Sequence, residues 1–369
     1  MAPVKIGFIG CGNISTQYLE ASKQFPILEV AALSDLDLSR AKAQAEKFGV
    51  LKACGVDELL ADESIEIVVN LTIPAVHAKV SLQAIAAGKH VYTEKPLAVN
   101  TDEGRSILDA AKAKGVRVGN APDTFLGTSH QACRTLIESG AIGIPVAATA
   151  FMLCPGHESW HPDPDFYYQP GGGPMFDMGP YYLTALVNML GPITRVSGEA
   201  GIQINPRTIT SEAKNGEQIT VNTPDHVAGS LRFQSGCLGT IVTSFATRFP
   251  PYDTTNPITI YGTEGTLKVP DPNHFDGPVF LQKIGEDEYQ QIDVNHTHPN
   301  GRSLGIADLA TAIRSGRDHR ANERLAFCVL EAMQGMLDSS DTGQHIELDI
   351  DFEKPAAMPE GLKDGVLDD

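Results

Sequence analysis

Two glycines one residue apart, Gly10 and Gly12, lead into Asn13, Ile14 and Ser15 where an apolar run, Val4–Ile9, meets a helical pattern, Ile14–Gln24. A G-x-G-x-x turn in that place suits a dinucleotide. The first glycine allows a tight turn, the second lets the backbone approach a pyrophosphate, and the amides opening the helix, those of Asn13 and Ile14, hold the anion. The third fingerprint position governs helix–strand packing, so the small Ser15 is a mild departure from glycine. Asp35 closes the next apolar run 23 residues beyond Gly12, where a carboxylate hydrogen-bonds an adenosine ribose and repels a 2′-phosphate. This favours NAD over NADP; Arg40 beyond it reads as a solvated helix face. Asp35 is also placed to cap the helix that follows.

Lys95 follows the run His90–Thr93 in Thr93-Glu94-Lys95-Pro96, at the strand edge where open α/β sheets bind ligands. Taken alone it is a surface-loop lysine. Far downstream, Gly171-Gly172-Gly173 makes a backbone that can pass close to a ligand. Asp177 and Tyr181, four residues apart, then project from one face of a helix whose first turn holds Pro180. Their plainer readings are an N-cap and a core aromatic. Ahead of the glycines comes His157-Glu158-Ser159-Trp160-His161-Pro162, followed by the short extension Phe166-Tyr167-Tyr168-Gln169. Trp160, the only tryptophan, suits stacking on the apolar face of a pyranose, and the histidines suit hydroxyl recognition. Its alternative is a buried loop anchor. No third ligand cluster joins the two histidines, so no metal is expected.

The elements that must position these residues fall into two regimes. Over the first 120 residues, apolar runs (Val4–Ile9, Leu28–Leu33, Ile65–Leu71, His90–Thr93, Val116–Gly119) alternate with helical patterns (Ile14–Gln24, Leu38–Phe48, Val76–Ala87, Thr101–Lys114). Strands apolar throughout, separated by helices, predict a doubly wound parallel sheet covered on both faces. Beyond residue 123, helices are expected at Thr128–Ser139, Phe176–Leu190, Ser303–Arg314 and Glu323–Ser339. A β-rich block lies between the second and third, with strands at Arg195–Gly201, Val227–Phe233, Leu238–Ser244, Ile258–Tyr261, Thr266–Val269 and Val279–Gln282. Turns such as Gln234-Ser235-Gly236 separate these strands at hairpin distances, predicting an α+β domain with a largely antiparallel open-faced sheet. The expected division is 1–122, 123–356 and an acidic tail, 357–369.

Together these segments resemble one family, the glucose–fructose oxidoreductase / inositol dehydrogenase (Gfo/Idh/MocA) family, over nearly the whole chain. The resemblance runs from Gly10-Cys11-Gly12 through Gly88-Lys89-His90-Val91-Tyr92-Thr93-Glu94-Lys95-Pro96 and the Gly171–Tyr181 segment to Gly262-Thr263-Glu264-Gly265-Thr266-Leu267. It implies an N-terminal Rossmann domain and a nicotinamide oxidoreductase acting on a sugar, cyclitol, anhydrosugar or glycoside. Lys95 matches the family's catalytic lysine, with a cis bond to Pro96, and Asp177 its active-site aspartate. Glu94, Thr72, Pro74 and His77 match cofactor-side positions, with a plain helix-start residue as the alternative for His77, and Asp123 and Thr124 match substrate contacts. Many members carry a histidine four residues after the aspartate; here that position is Tyr181. A phenol with an ordinary pKa near 10 is a poor base at neutral pH unless a cation such as Lys95 assists. Either Tyr181 relays the proton, or it positions substrate while Lys95 or a nearby histidine takes it. Two rival readings are an NAD-dependent glycoside-cleaving hydrolase or lyase working by transient oxidation and elimination, and a non-catalytic NAD-binding sensor. The family also implies a homo-oligomer, dimer or tetramer, formed through the open sheet.

The 369 residues carry 28 Lys+Arg against 46 Asp+Glu, a net charge of −18, which speaks against nucleic acid and anionic membranes as partners. Eight of the acids and two lysines lie in residues 346–369, expected as a partly solvated tail. Six scattered cysteines without a CxxC pair read as thiols of a reducing compartment. With no apolar run of about 18–20 residues and no signal-peptide pattern, a cytoplasmic protein is expected.

Overall fold

The computed structural model describes residues 1–248, 253–349, 352–362 and 365–368. The chain divides into two compact units, the first made of Met1–Gln131, Asn295–Phe327 and Pro355–Asp369, the second of Ala132–Val294 and Cys328–Lys354.

The first unit alternates strands and helices: β1 (Val4–Ile9), α1 (Asn13–Ser22), β2 (Leu28–Ser34), α2 (Leu38–Phe48), β3 (Ala53–Cys54), α3 (Val56–Ala61), β4 (Ile67–Asn70), α4 (His77–Ala86), β5 (His90–Thr93), α5 (Thr101–Lys114) and β6 (Val118–Asn120). Its described strands form a parallel sheet in the order β3-β2-β1-β4-β5-β6. The order reverses at β1, so the crevice at the carboxyl ends of β1 and β4 is the place where this topology receives a ligand. Helix ends follow local chemistry. Asn100 caps α5 by accepting from the Glu103 amide at 2.8 Å, and Gly115 ends it in the left-handed conformation, φ 70°. Asp37, not Asp35, caps α2 through the Ser39 amide.

After α6 (Thr128–Glu138), the second unit holds β7 (Pro145–Leu153), α7 (Gly173–Asp177), α8 (Gly179–Leu190), β8 (Ile193–Gly201), β9 (Arg207–Thr208), β10 (Gln218–Ile219), β11 (His226–Phe233), β12 (Leu238–Ser244), β13 (Ile258–Gly262), β14 (Gly265–Val269), β15 (Val279–Lys283) and β16 (Gln290–Ile292). There follow α9 (Leu304–Ser315) of the first unit, α10 (Glu323–Thr342) and β17 (Ile346–Glu347). The described strands make a nine-stranded sheet, β16-β15-β14-β13-β7-β12-β11-β8-β17, antiparallel except for the β7/β12 pair; β9 and β10 form a separate ribbon. The α/β class with a parallel first sheet and a mostly antiparallel second sheet is therefore as expected.

Three details differ. The central strand β7 went unread because Pro145–Leu153 is rich in alanine, a weak strand former; its pairing to β12 and β13 overrides propensity. The helix expected over Phe176–Leu190 is two helices, broken at Met178, because Pro180 has no amide to continue the ladder. The domain boundaries also move, since the chain returns after residue 354 to the first unit. There Met358, Leu362 and Leu367 are buried, and Asp368 accepts from Arg317 Nε at 2.8 and 2.9 Å. The tail is thus anchored rather than free where it is described; Asp351, Lys363, Asp364 and Asp369 lie outside the described residues. Among the described residues no helix is long and apolar enough to cross a membrane.

Candidate active site

In the first unit, Gly10 turns at φ +102°, and a Cβ there would stand 2.6 Å from the Leu71 carbonyl oxygen, so only glycine lets the turn lie against the end of β4. Gly12 differs: a Cβ on it would meet nothing within 4 Å. The chain's own packing does not require that glycine, and the open space beside it, at an α1 N-terminus whose N-cap brings no side chain, is a cradle that fits a pyrophosphate. Ser15 is buried and donates to the Gly12 carbonyl at 2.6 Å, steadying the turn. Asp35 reaches back to the same loop, one carboxylate oxygen accepting the Cys11 amide at 2.7 Å and the other the Asp37 amide at 2.9 Å. Each oxygen keeps a lone pair for a ribose hydroxyl. Arg40 is exposed, with Asp37 as its ion-pair partner at 3.6 Å.

Lys95 lies two residues past the end of β5, half-buried, with a cis bond to Pro96. Its backbone amide donates to Glu94 Oε2 at 2.9 Å, and the other Glu94 oxygen accepts the Tyr18 hydroxyl at 2.7 Å. Asn120 donates to the carbonyls of Thr93 and Glu94. Tyr18 and Asn120 were not singled out from sequence; a buried aromatic on an amphipathic helix and a strand-end amide carry no local pattern.

His77 joins two loops. Its Nδ1 lies 2.8 Å from the Pro96 carbonyl oxygen and its Nε2 2.9 Å from that of Thr72, while Thr72 donates its hydroxyl to Asn70 at 2.6 Å. The ring has no exposed surface, so it fastens the Thr72 and Lys95 loops from behind and presents nothing to a ligand. Burial pushes the imidazole pKa down, against the pull of the two carbonyls toward the protonated form. Pro74 opens a short 3₁₀ turn beside Thr72. Asp123 and Thr124 are likewise sealed, at 0% and 1% exposure. Asp123 accepts the Gly305 amide at 3.0 Å, and burial pushes its carboxyl up to about 6.

In the second unit, the parallel neighbours β7 and β12 end at one sheet edge, and their exits deliver His157 and Phe245. His157 is 9% exposed, with its ring 4.2 Å from Tyr167, 4.5 Å from Phe245 and 5.2 Å from Trp160 between centroids. Its Nε2, buried without a hydrogen bond, stands 3.5 Å from Asp177 Oδ2. Asp177 ends α7, and its side chain is 18% exposed. Tyr181, in contrast, belongs to α8, whose twelve residues are all buried. Asp177 and Tyr181 therefore lie on two consecutive helices instead of the single one expected. Two of the three glycines expected beside a ligand pack on the chain itself: a Cβ on Gly172 would stand 2.7 Å from the carbonyl oxygens of Phe166 and Tyr167, and one on Gly173 2.6 Å from that of Pro224. Trp160, at 61% exposure, is not a buried anchor.

Beneath this loop runs a brace that the sequence did not reveal. Arg207, its side chain 2% exposed, donates to Glu158 at 2.6 Å, to Asp225 at 2.7 Å and to the carbonyls of Pro155 and Phe245. Its guanidinium lies 4.7 Å from the Tyr168 ring centre. Its partners are scattered in sequence, so no spacing pattern could have found it.

The parallel sheet with a glycine cradle at its switch point defines the class as a nucleotide-binding Rossmann protein. Comparison with known proteins gives the family. The family model described as an oxidoreductase family with NAD-binding Rossmann fold matches residues 4–121, and that of the GFO/IDH/MocA C-terminal domain matches residues 130–268. The chain belongs to the Gfo/Idh/MocA oxidoreductase family, and its N-terminal part is an NAD-binding Rossmann domain. It is 29% identical over 269 residues to a 1,5-anhydro-D-fructose reductase of Ensifer adhaerens, covering 71% of this chain and 74% of that one. It is 25% identical to a D-xylose 1-dehydrogenase (NADP(+)) of Haloferax volcanii, covering 93% and 99%. In structure it resembles a levoglucosan dehydrogenase in complex with NADH and L-sorbose, with a TM-score of 0.80 at 20% identity over 94% and 99% of the two chains; this likeness is one of fold.

Proposed function

We propose that the protein is an NAD-dependent dehydrogenase that oxidises a secondary hydroxyl of a sugar or related polyol, or reduces the matching ketone. NAD, when bound, supplies the hydride acceptor; the cradle around Gly10, Gly12, Asn13 and Ile14 holds its pyrophosphate and Asp35 its adenosine ribose. Lys95 stabilises the negative charge that develops on the carbinol oxygen. The observation that carries the acid–base assignment is the 3.5 Å pair of His157 and Asp177 on part-buried side chains. Asp177 orients the imidazole and the substrate hydroxyl, and His157 takes the carbinol proton, the role that a histidine after the aspartate has in many relatives. Tyr181, buried on α8, takes the positioning role and not the proton. Tartrate and sorbose in neighbouring structures and anhydrofructose and xylose in the names of relatives support a polyhydroxylated substrate.

The test is a spectrophotometric NAD and NADP reduction screen over sugars, cyclitols, anhydrosugars and glycosides, run beside Lys95→Ala. We expect NADH to accumulate with at least one compound, and Lys95→Ala to lower turnover by orders of magnitude while nicotinamide fluorescence still reports cofactor binding. Near-normal turnover in Lys95→Ala would sink the assignment.

A further inference from the structure

Outward from His157 the second unit carries a continuous strip of rings that an acid–base pair does not need. Tyr167 stacks on Phe166 at 4.1 Å, and His161 meets Trp160, Phe166 and Tyr167 edge-on at 5.3, 5.4 and 5.3 Å. Exposure rises along it, from 9% at His157 to 40% at Phe166 and 61% at Trp160. Large aromatic surface left in water costs stability and marks a place of contact.

The strip is also built to hold its shape. The Trp160 and His161 amides return to the His157 carbonyl, Ser211 Oγ donates to the His161 carbonyl at 2.7 Å, and the Thr210 and Ser211 amides clasp the Glu158 carbonyl. Lys214 pairs with Asp163 at 2.7 Å, and Arg207 locks Glu158 from beneath. Rings fixed before binding lose little entropy when a ligand stacks on them. A second observation points inward: the buried, unbonded Nε2 of His157 lies at the strip's inner end, beside Asp177.

Resting on the dehydrogenase reading, we propose that Trp160, His161, Phe166 and Tyr167 form a subsite for a second sugar ring, so that the substrate is a glycoside or disaccharide whose oxidised ring lies at Asp177 and His157. Aromatic faces complement the C–H faces of a pyranose, while His161 and the carboxylates of Asp163 and Asp165 offer polar edges for its hydroxyls. One ring suffices for Asp177 and His157; the outward run of four further rings matches a ligand that continues past it.

Trp160 is the only tryptophan in the chain, so its emission reports occupancy of the strip directly, without turnover. The purified full-length protein is titrated with D-glucose, maltose and cellobiose, and with D-xylose and xylobiose, while kcat/KM for NAD reduction is measured on the same compounds. We expect a disaccharide to shift Trp160 emission and to bind at least tenfold more tightly than its monosaccharide. Phe166→Ala, which keeps the reporter, should reduce that ratio at least fivefold, with sedimentation showing an unaltered oligomeric state. The proposal is overturned if no disaccharide binds more tightly than its monosaccharide, if Phe166→Ala leaves the ratio intact, or if the variant changes the oligomeric state, which would assign the strip to a subunit contact. Equal reduction of NAD with both members of a pair would reject the second-ring subsite alone. Disaccharide binding without NAD reduction would reject the dehydrogenase reading alone.

Discussion

Replacing Arg207 by methionine tests whether the ring-bearing loop depends on the brace beneath it. The side chain is 2% exposed and joins Glu158, Asp225, two carbonyls and the Tyr168 ring. Asp225 is wholly buried and also accepts the Gln203 and Ile204 amides at 2.6 and 3.2 Å, so water cannot replace the lost guanidinium. Removing one partner of such a pair leaves an uncompensated buried charge and costs about 3–5 kcal/mol. For a unit of this size, that is a fall of roughly 10 °C in the melting temperature of the transition that includes it. The double variant Arg207→Met/Asp225→Asn removes the stranded charge and should recover a substantial part of the loss, although the Glu158 contact stays broken. Thermal unfolding followed by circular dichroism, with hydrogen exchange over residues 202–225, reads both effects. A loss below about 1 kcal/mol in Arg207→Met, within the range of an exposed ion pair, would refute the reasoning, as would a double variant no more stable than the single.

Three other outcomes follow from the geometry. Asp123 titrates at about 6 in the native protein, its carboxyl raised by burial against the pull of Arg302, and near 3.9 when unfolded. Native protein then binds the extra proton between these values, so stability falls as pH rises from about 4 to 6, by about 3 kcal/mol; Asp123→Asn should flatten that fall in urea-unfolding midpoints, and an unchanged slope would exclude Asp123 as its source. His157→Asn should lower turnover by about 10²–10⁴-fold while Tyr181→Phe lowers it less than tenfold, and the reverse order in steady-state kinetics would return the proton to Tyr181. Asp35→Ser should weaken NAD binding and narrow the preference over NADP, measured by fluorescence titration; an undiminished NAD preference would show that the Asp35 carboxylate only ties the Cys11 turn.

Where chemistry depends on neighbours in sequence, the chain is legible without coordinates. The Gly10–Ser15 turn, the Asn100 cap with Gly115 as stop, and the strand–helix rhythm of the first 120 residues are local events, governed by a few dihedral angles, one capping bond and a hydrophobic period. So is the β-rich character of the second unit, with its turns at hairpin spacing. The alanine-rich β7 escaped, since its identity as a strand comes from the two strands that flank it.

Local pattern along the chain carries the class of fold and the glycine turn at the front, and it marks the segments that hold the candidate lysine, aspartate and histidines. Where each of those side chains sits came from the packed structure. It put Tyr181 in the fully buried α8 and His157 beside Asp177, sealed His77 behind two loops, and turned Gly172 against the backbone of the aromatic loop. Burial and distance across tens of residues set these outcomes. A side chain's exposure and its partner are properties of packing between segments, and no spacing along one segment contains them.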